Sequence, residues 1–184
     1  MTATLLGAKR LRELLDAHDI HPSKALGQNF VIDPNTIRKM VEVAGVVEGD
    51  VVLEIGAGAG SLTLGLVAAG ANVTAVELDR RLLPVIEEVT AELPSVSVVH
   101  ADAVTFDYGS VVASSMVANL PYNIATQVVL RALEEGPDLK RLTVMTQREV
   151  GERLAASPGS KVYGLTTVLL AYFAHARVAA RVSR

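Results

Sequence analysis

The chain has 184 residues, half of them hydrophobic, with no cysteine or tryptophan and only 4% aromatics. A length like that suits one domain with a core of Ala, Val, Leu and Ile, and the absence of thiols excludes disulfides, cysteine nucleophiles and thiolate metal sites. No run reaches the about 18 apolar residues of a membrane span, and His18, His21, His100 and His175 lack zinc-ligand spacing, so a cytoplasmic protein with no metal and no membrane attachment is expected. In chain order, Leu5, Leu6, Leu11, Leu14 and Leu15 recur near helical spacing and predict an amphipathic helix in an N-terminal arm, residues 1–22, ending before His21-Pro22. Residues 23–33, SKALGQNFVID, have no periodicity but hold the amide pair Gln28 and Asn29 beside Phe30, which predicts a loop with something to touch. Asp33-Pro34 reads as an N-cap followed by proline at the first helical position, with Ile37, Met40, Val41 and Ala44 as the buried face up to Gly45.

From Val51 strands and helices alternate. Val51 to Ile55 is an apolar, β-favouring run suited to a strand buried on both faces. Gly56, Gly58 and Gly60 follow, opening the main chain to close approach by a ligand, and Ser61 is placed to cap the next helix. Further strands are predicted at Asn72 to Val76, Val96 to Val99, Met116 to Ala118 and Leu142 to Met145, with helices from Arg80 and from about Ile124 to Glu135. Repeated βα units of this kind predict an α/β domain with a doubly wound, mostly parallel sheet, whose ligands gather at the carboxyl ends of the strands.

The glycine spacing selects the ligand. A dinucleotide fingerprint would have its third glycine where Ser61 stands, and no Gly-Lys-Ser/Thr run provides a P-loop. An acid within the strand followed by G-x-G-x-G resembles the first motif of the S-adenosylmethionine-dependent methyltransferases, whose Rossmann-like class I fold is the doubly wound sheet expected here. Glu77, twenty-one residues beyond Gly56, ends the second strand, where a carboxylate can accept both ribose hydroxyl protons. Asp102, ending the third, can accept from an adenine amine with the backbone of Ala103 beside it, or equally serve as a helix cap. His100 reads as structural.

Asn119-Leu120-Pro121-Tyr122 carries the most specific chemistry. Methyl transfer to an exocyclic amine needs the nitrogen lone pair freed from the ring and aligned with the methyl. The Asn119 side-chain oxygen and the Leu120 carbonyl can accept the two amine hydrogens, Pro121 fixes the turn that aims them, and Tyr122 offers a ring to stack on a base rotated out of its strand.

Gln28-Asn29-Phe30, Glu54-Ile55-Gly56-Ala57-Gly58, Asn119 to Tyr122, Gln147-Arg148-Glu149-Val150 with Arg153, and Lys161-Val162-Tyr163-Gly164 occur in the order found in the rRNA adenine N6-dimethyltransferases. The chain most resembles the small-subunit (16S) branch, which dimethylates two adjacent adenines in the hairpin near the 3′ end of that rRNA during ribosome biogenesis. The resemblance implies S-adenosyl-L-methionine as cofactor and small-subunit rRNA in a late assembly intermediate as partner, met by a monomer. It implies that Gln28, Asn29, Phe30 and the backbone at Val31 hold or close over the methionine end, that Gly56 and Gly58 line the loop, that Glu77, Asp102 and Ala103 hold the adenosine, and that Asn119 reaches both cofactor and target. Arg148, Arg153, Lys161 and Tyr163 are the implied RNA contacts. Ala57 departs from a frequent proline.

The family's chain continues into a small helical domain that helps grip RNA, so these residues are expected to be the catalytic domain alone. Charge supports an RNA partner: residues 1–40 carry six Lys/Arg against four Asp/Glu, residues 41–139 three against fourteen, and residues 140–184 eight against two. Basic ends brought together would face phosphates, the acidic middle facing away. Alternatives are a large-subunit rRNA methyltransferase of the macrolide-resistance type, a DNA adenine methyltransferase, or a non-catalytic RNA-binding assembly or transcription factor on the same fold.

Overall fold

A computed structural model describes residues 3–21 and 30–182. Five strands, β1 (Val51–Ile55), β2 (Asn72–Glu77), β3 (Val96–His100), β4 (Ser115–Asn119) and β5 (Arg141–Met145), form one parallel sheet in the order β3-β2-β1-β4-β5. The chain winds outward from β1 to β3, then crosses back to lay β4 on the other side of β1. That reversal opens a crevice at the carboxyl ends of β1 and β4, where ligands bind in sheets of this kind. The expected architecture is therefore the observed one.

Alternation along the central strands shows why both faces must be covered. Val52 of β1 and Val117 of β4 pack with α2 (Pro34–Ala44), α3 (Ser61–Ala68) and Ile86 of α4 (Leu83–Thr90). Leu53, Ile55, Met116 and Ala118 point the other way, against Ala125, Val128, Val129 and Ala132 of α5 (Tyr122–Glu135). Leu154 of α6 (Arg148–Leu154) and Leu170 of α7 (Leu165–Phe173) extend that second layer. In the N-terminal arm, α1 (Ala8–Ala17) buries Leu11, Leu14 and Leu15 with Leu82 and Val85 around α4.

Local signals placed most helix ends. Both Asp33 carboxylate oxygens accept backbone bonds, from Asn35 and Thr36, Pro34 opens α2, and Gly45 closes it in the left-handed conformation at φ 62°. Several expectations need correction: Leu5 and Leu6 precede α1, which begins at Ala8, and Arg80–Leu82 form a 3₁₀ turn ahead of α4, which begins at Leu83. Ser61 is the first residue of α3 rather than its cap; the capping position belongs to Gly60, left-handed at φ 83°, which has no side chain to offer. Helix α5 begins at Tyr122 rather than near Ile124, because Pro121 leaves the strand extended at ψ 143° and its carbonyl already accepts the Ile124 and Ala125 amides.

Candidate active site

The loop after β1 is folded against the end of β2. The Gly56 and Ala57 amides both donate to the Val76 carbonyl, at 2.9 and 3.1 Å, and Gly58 donates to Glu77 Oε2 at 2.8 Å. Gly56 and Gly58 take φ of 76° and 61°, angles that disfavour other residues. The space around them is close but not closed. A Cβ on Gly56 would lie 3.4 Å from the Asn119 carbonyl, and one on Gly58 would lie 3.4 Å from the Phe30 ring. Residues distant in sequence, the first motif, Phe30 and the end of β4, thus meet around one backbone turn.

Glu77 is not a loose acid at a strand end. Its second oxygen accepts the Asp79 amide at 2.7 Å, so each carboxylate oxygen is held by one backbone donor and keeps a further lone pair for a ligand. Burial pushes its pKa up, while the Asp79 and Gly58 amides pull it back. Beneath it, Glu54 of β1 is wholly buried and accepts the Thr63 hydroxyl at 2.6 Å; its other oxygen has no partner among the described residues. Desolvation pushes the Glu54 carboxyl up to about 8, with the Glu77 charge adding to the rise. Burial beside Glu77 thus favours the neutral form of this carboxyl, which lessens the buried negative charge at that point.

Beyond β3, Asp102 Oδ1 accepts the Val104 amide at 2.8 Å. The cap-like role and a ligand role are compatible, since one such bond leaves acceptor capacity. His100 is indeed structural in its contacts: Nε2 meets the Leu78 carbonyl at 3.0 Å and ties the residue after Glu77 to β3. At the end of β4, Leu120 is buried and its amide donates to Met145 at 2.9 Å, whereas Tyr122 is 59% exposed at the start of α5.

A cleft of about 1230 Å³ joins these parts. It is lined by Phe30, Val31, Gly56, Gly58, Glu77, Asp102 and Ala103 and continues past Asn119, Leu120, Pro121 and Tyr122 to Arg148. The same cavity runs on along β5 to Arg141 and to Arg177 and Arg181, so its volume is shared between the carboxyl-end site and a longer groove. Gln28 and Asn29 lie outside the described residues. Arg153, Lys161 and Tyr163 do not line the cleft: Arg153 gives its carbonyl to Thr167 at 2.6 Å, and Lys161 and Tyr163 stand exposed ahead of α7.

The two basic ends are only partly brought together. On α1, Lys9 and Arg10 face Glu13, and Arg10 also reaches Glu88 of α4 at 3.3 Å. Lys39 of α2 does reach the cleft wall, with Arg141, Arg148, Arg177 and Arg181. Sequence reasoning missed the Glu54–Thr63 pair and the exposed Leu78 at the cleft edge, for which the only local signal was a bulky apolar residue directly after Glu77.

Comparison with known proteins agrees with this geometry. The chain is 48% identical over 185 residues to a ribosomal RNA small subunit methyltransferase A of Leifsonia xyli, covering 98% of this chain and 66% of that protein. It is 47% identical to the protein of the same name from Corynebacterium jeikeium, covering 98% of this chain and 60% of that one. The chain thus spans slightly under two thirds of the length of these relatives. Among solved structures, a dimethyladenosine transferase from Plasmodium falciparum superposes with a TM-score of 0.67 at 26% identity, over 74% of this chain and 50% of that one. The 23S rRNA methyltransferase ErmE superposes at 0.62 and 31% identity, over 69% of this chain and 51% of that one. The sequence model described as ribosomal RNA adenine dimethylase matches residues 21–184, so the chain belongs to that family of S-adenosylmethionine-dependent methyltransferases.

Proposed function

We propose that this chain is the methyl-transfer unit of an rRNA adenine N6-methyltransferase, and specifically of one that dimethylates two adjacent adenines in the 3′-terminal hairpin of small-subunit rRNA. The observation that carries the reading is the approach of the glycine loop to the end of β4, where a Cβ on Gly56 would come within 3.4 Å of the Asn119 carbonyl. That approach sets a cofactor cradle beside a motif suited to holding an amine. Small-subunit rather than large-subunit rRNA is favoured by the relatives named for the small subunit, at 47–48% identity, against 31% for ErmE.

The residues present fit S-adenosylmethionine. Glu77 offers fixed acceptors for ribose hydroxyls, Asp102 and the Ala103 backbone suit the adenine edge, and Phe30 packs over Gly58. The bound cofactor supplies an electrophilic methyl on a sulfonium. At the other end of the cleft, the Asn119 side-chain oxygen and the Leu120 carbonyl accept the hydrogens of the target amine and hold its lone pair in line. Tyr122 gives the extruded base a surface. As the S–CH3 bond broke, sulfur would be left as a neutral thioether and the methylated nitrogen would carry the positive charge; its now acidic proton would pass to solvent water, so no strong base is needed. Arg148, Arg153, Lys161 and Tyr163 are proposed RNA contacts, the charged members holding phosphate without reading sequence.

The test is methyl transfer from labelled cofactor to unmethylated small subunits and to large subunits, followed by mapping of the modified base. Label on adjacent adenines of the small-subunit hairpin is expected. Label confined to large-subunit rRNA would overturn the choice of substrate.

A further inference from the structure

The one fully buried aromatic ring among the described residues belongs to no part of the site derived above. Tyr108 sits in a short 3₁₀ turn, Tyr108–Ser110, and its hydroxyl donates to the Ala103 carbonyl at 2.8 Å. Arg131 of α5 reaches the same loop. Its Nη1 donates to the Val104 carbonyl and its Nη2 to the Phe106 carbonyl at 3.3 Å, while the guanidinium lies 5.8 Å from the Tyr108 ring centroid. Glu135, one turn further along α5, holds that guanidinium through both oxygens, at 2.8 and 2.5 Å. Three carbonyls, of Ala103, Val104 and Phe106, are thereby held, two by Arg131 from α5 and one by Tyr108 from further along the same connection between β3 and β4.

We propose that Arg131 and Tyr108 are positioning residues for the adenine end of the cofactor site, locking the loop after β3 so that Asp102 and the Ala103 backbone face the base in one geometry. The inference rests on the cofactor reading of Asp102. Its physical ground is that Arg131 ties the middle of the loop to another helix, whereas the bonds of Asp102 to Val104 and Thr105 and of Asp107 to Gly109 and Ser110 are local turns. The loop's start is held separately by the Ala101 amide on the Glu77 carbonyl, and Ala103 and Phe106 pack in the core. A guanidinium fork bonded to carboxylate on one side and carbonyls on the other is a rigid attachment. Since α5 also begins at Tyr122, about two and a half turns before Arg131, the same helix carries the start of the transfer motif and the clamp on the adenine loop.

A hydrogen-bonding subsite rejects an analogue that lacks the matching group, provided its acceptors are held in place. Discrimination between S-adenosylhomocysteine and S-inosylhomocysteine, which replaces the adenine amine by a carbonyl, therefore reads the loop geometry directly. The experiment is calorimetric titration of both compounds into the wild-type chain and into Tyr108→Phe, Arg131→Met, Arg131→Lys and Val128→Ala, with thermal unfolding of each. Val128 is buried on the same helix face and makes no contact with the loop backbone through hydrogen bonds, so Val128→Ala loosens the core without releasing the clamp.

Wild type is expected to prefer the adenine compound by about tenfold or more. Tyr108→Phe should lose at least half of that ratio, Arg131→Met should approach equal affinity, and Arg131→Lys, without the fork, should fall between wild type and Arg131→Met. Val128→Ala should lower the unfolding temperature and keep the wild-type ratio. Should Arg131→Met fail to fold, Tyr108→Phe, which removes one hydroxyl, carries the test. A wild type that does not discriminate would overturn the cofactor reading of Asp102 itself. A discriminating wild type whose ratio survives in Tyr108→Phe and Arg131→Met, or falls equally in Val128→Ala, would overturn the clamp alone.

Discussion

The sheet has two unlike halves. Around β1, β2 and β3 the candidate site is made of backbone amides and carboxylates already bonded to one another: Gly58 to Glu77, Asp79 to Glu77, Val104 to Asp102. Around β4, β5, α6 and α7, beyond the buried Leu120, side chains stand in solvent both within the site and on the helices next to it. Tyr122 is largely exposed, Leu165 and Tyr172 of α7 are 75% and 84% exposed, and Arg148 pairs with Glu152 at 2.7 Å on the surface of α6. The difference teaches that the first half is set before any ligand arrives, as a small-molecule subsite must be to bind without a large ordering cost. The second half keeps apolar and cationic surface for something larger. Damage to the first half should register in stability and cofactor affinity together, and damage to the second in turnover.

The largest expected effect falls on Asn119, at the end of β4 where the two halves meet. Asn119→Ala should slow methyl transfer by about 100- to 1,000-fold, since it removes a positioned acceptor at the reacting amine. Cofactor affinity should change much less, and single-turnover rates with calorimetry on the same preparation will show whether it does.

Glu77→Ala is the matching lesion in the first half. It removes the acceptor of two backbone amides as well as that of the ribose, and charged hydrogen bonds contribute about 1.5–3 kcal/mol each. Affinity for S-adenosylhomocysteine should fall about 10- to 100-fold and the unfolding temperature should drop with it. Undiminished affinity in a folded variant would remove Glu77 from the cofactor site.

Glu54 sharpens the comparison through pH. Its folded pKa of about 8 lies above the ordinary 4.5, so between those values the folded state binds a proton that the unfolded state has already released. Stability from this group is complete below about pH 4.5, declines as pH rises, and is lost once pH passes 8. Every tenfold difference in proton affinity between the two states corresponds to about 1.4 kcal/mol. Glu54→Gln should therefore flatten the decline and make the variant more stable than wild type at pH 9. Denaturant unfolding across that range measures it, and parallel profiles for the two proteins would contradict the assignment.

The smallest effect concerns the exposed cations. Arg148→Ala breaks a surface pair with Glu152, screened by solvent, so stability should hardly move. RNA affinity should weaken uniformly across sequences, with the salt slope reduced by about one. Filter binding at several salt concentrations will show it.

Much of this division was legible in the sequence. Apolar runs bounded by glycine or polar ends located all five strands to within a residue or so, and Asp33, Pro34 and Gly45 marked both ends of α2, because each signal acts on its own neighbours. Asn119 to Tyr122 could be read as a chemical device from residue type and order alone. Capping was less legible: Ser61 is a good cap by type, but the turn needed left-handed Gly60 at that position. Long-range ties were not legible at all. Arg141 donates to the Ala44 carbonyl at 2.6 Å, closing the C-terminal end of α2 from β5, and Arg131 reaches Val104 and Phe106; a side chain bonding a distant carbonyl leaves no local pattern. The same holds for the unequal fate of the cations, since pairing on α1 and exposure near α7 depend on which acids the fold brings close.

The most direct test of the central claim, that the cofactor site is the prearranged half of the sheet, is titration of S-adenosylhomocysteine into isotope-labelled protein while following backbone amide shifts. The account predicts saturable changes concentrated at Gly56, Gly58, Leu78, Asp102, Ala103 and Asn119, with the amides of α7 nearly unmoved. Saturable binding whose shifts fall on α6 and α7 and spare the glycine loop would contradict it.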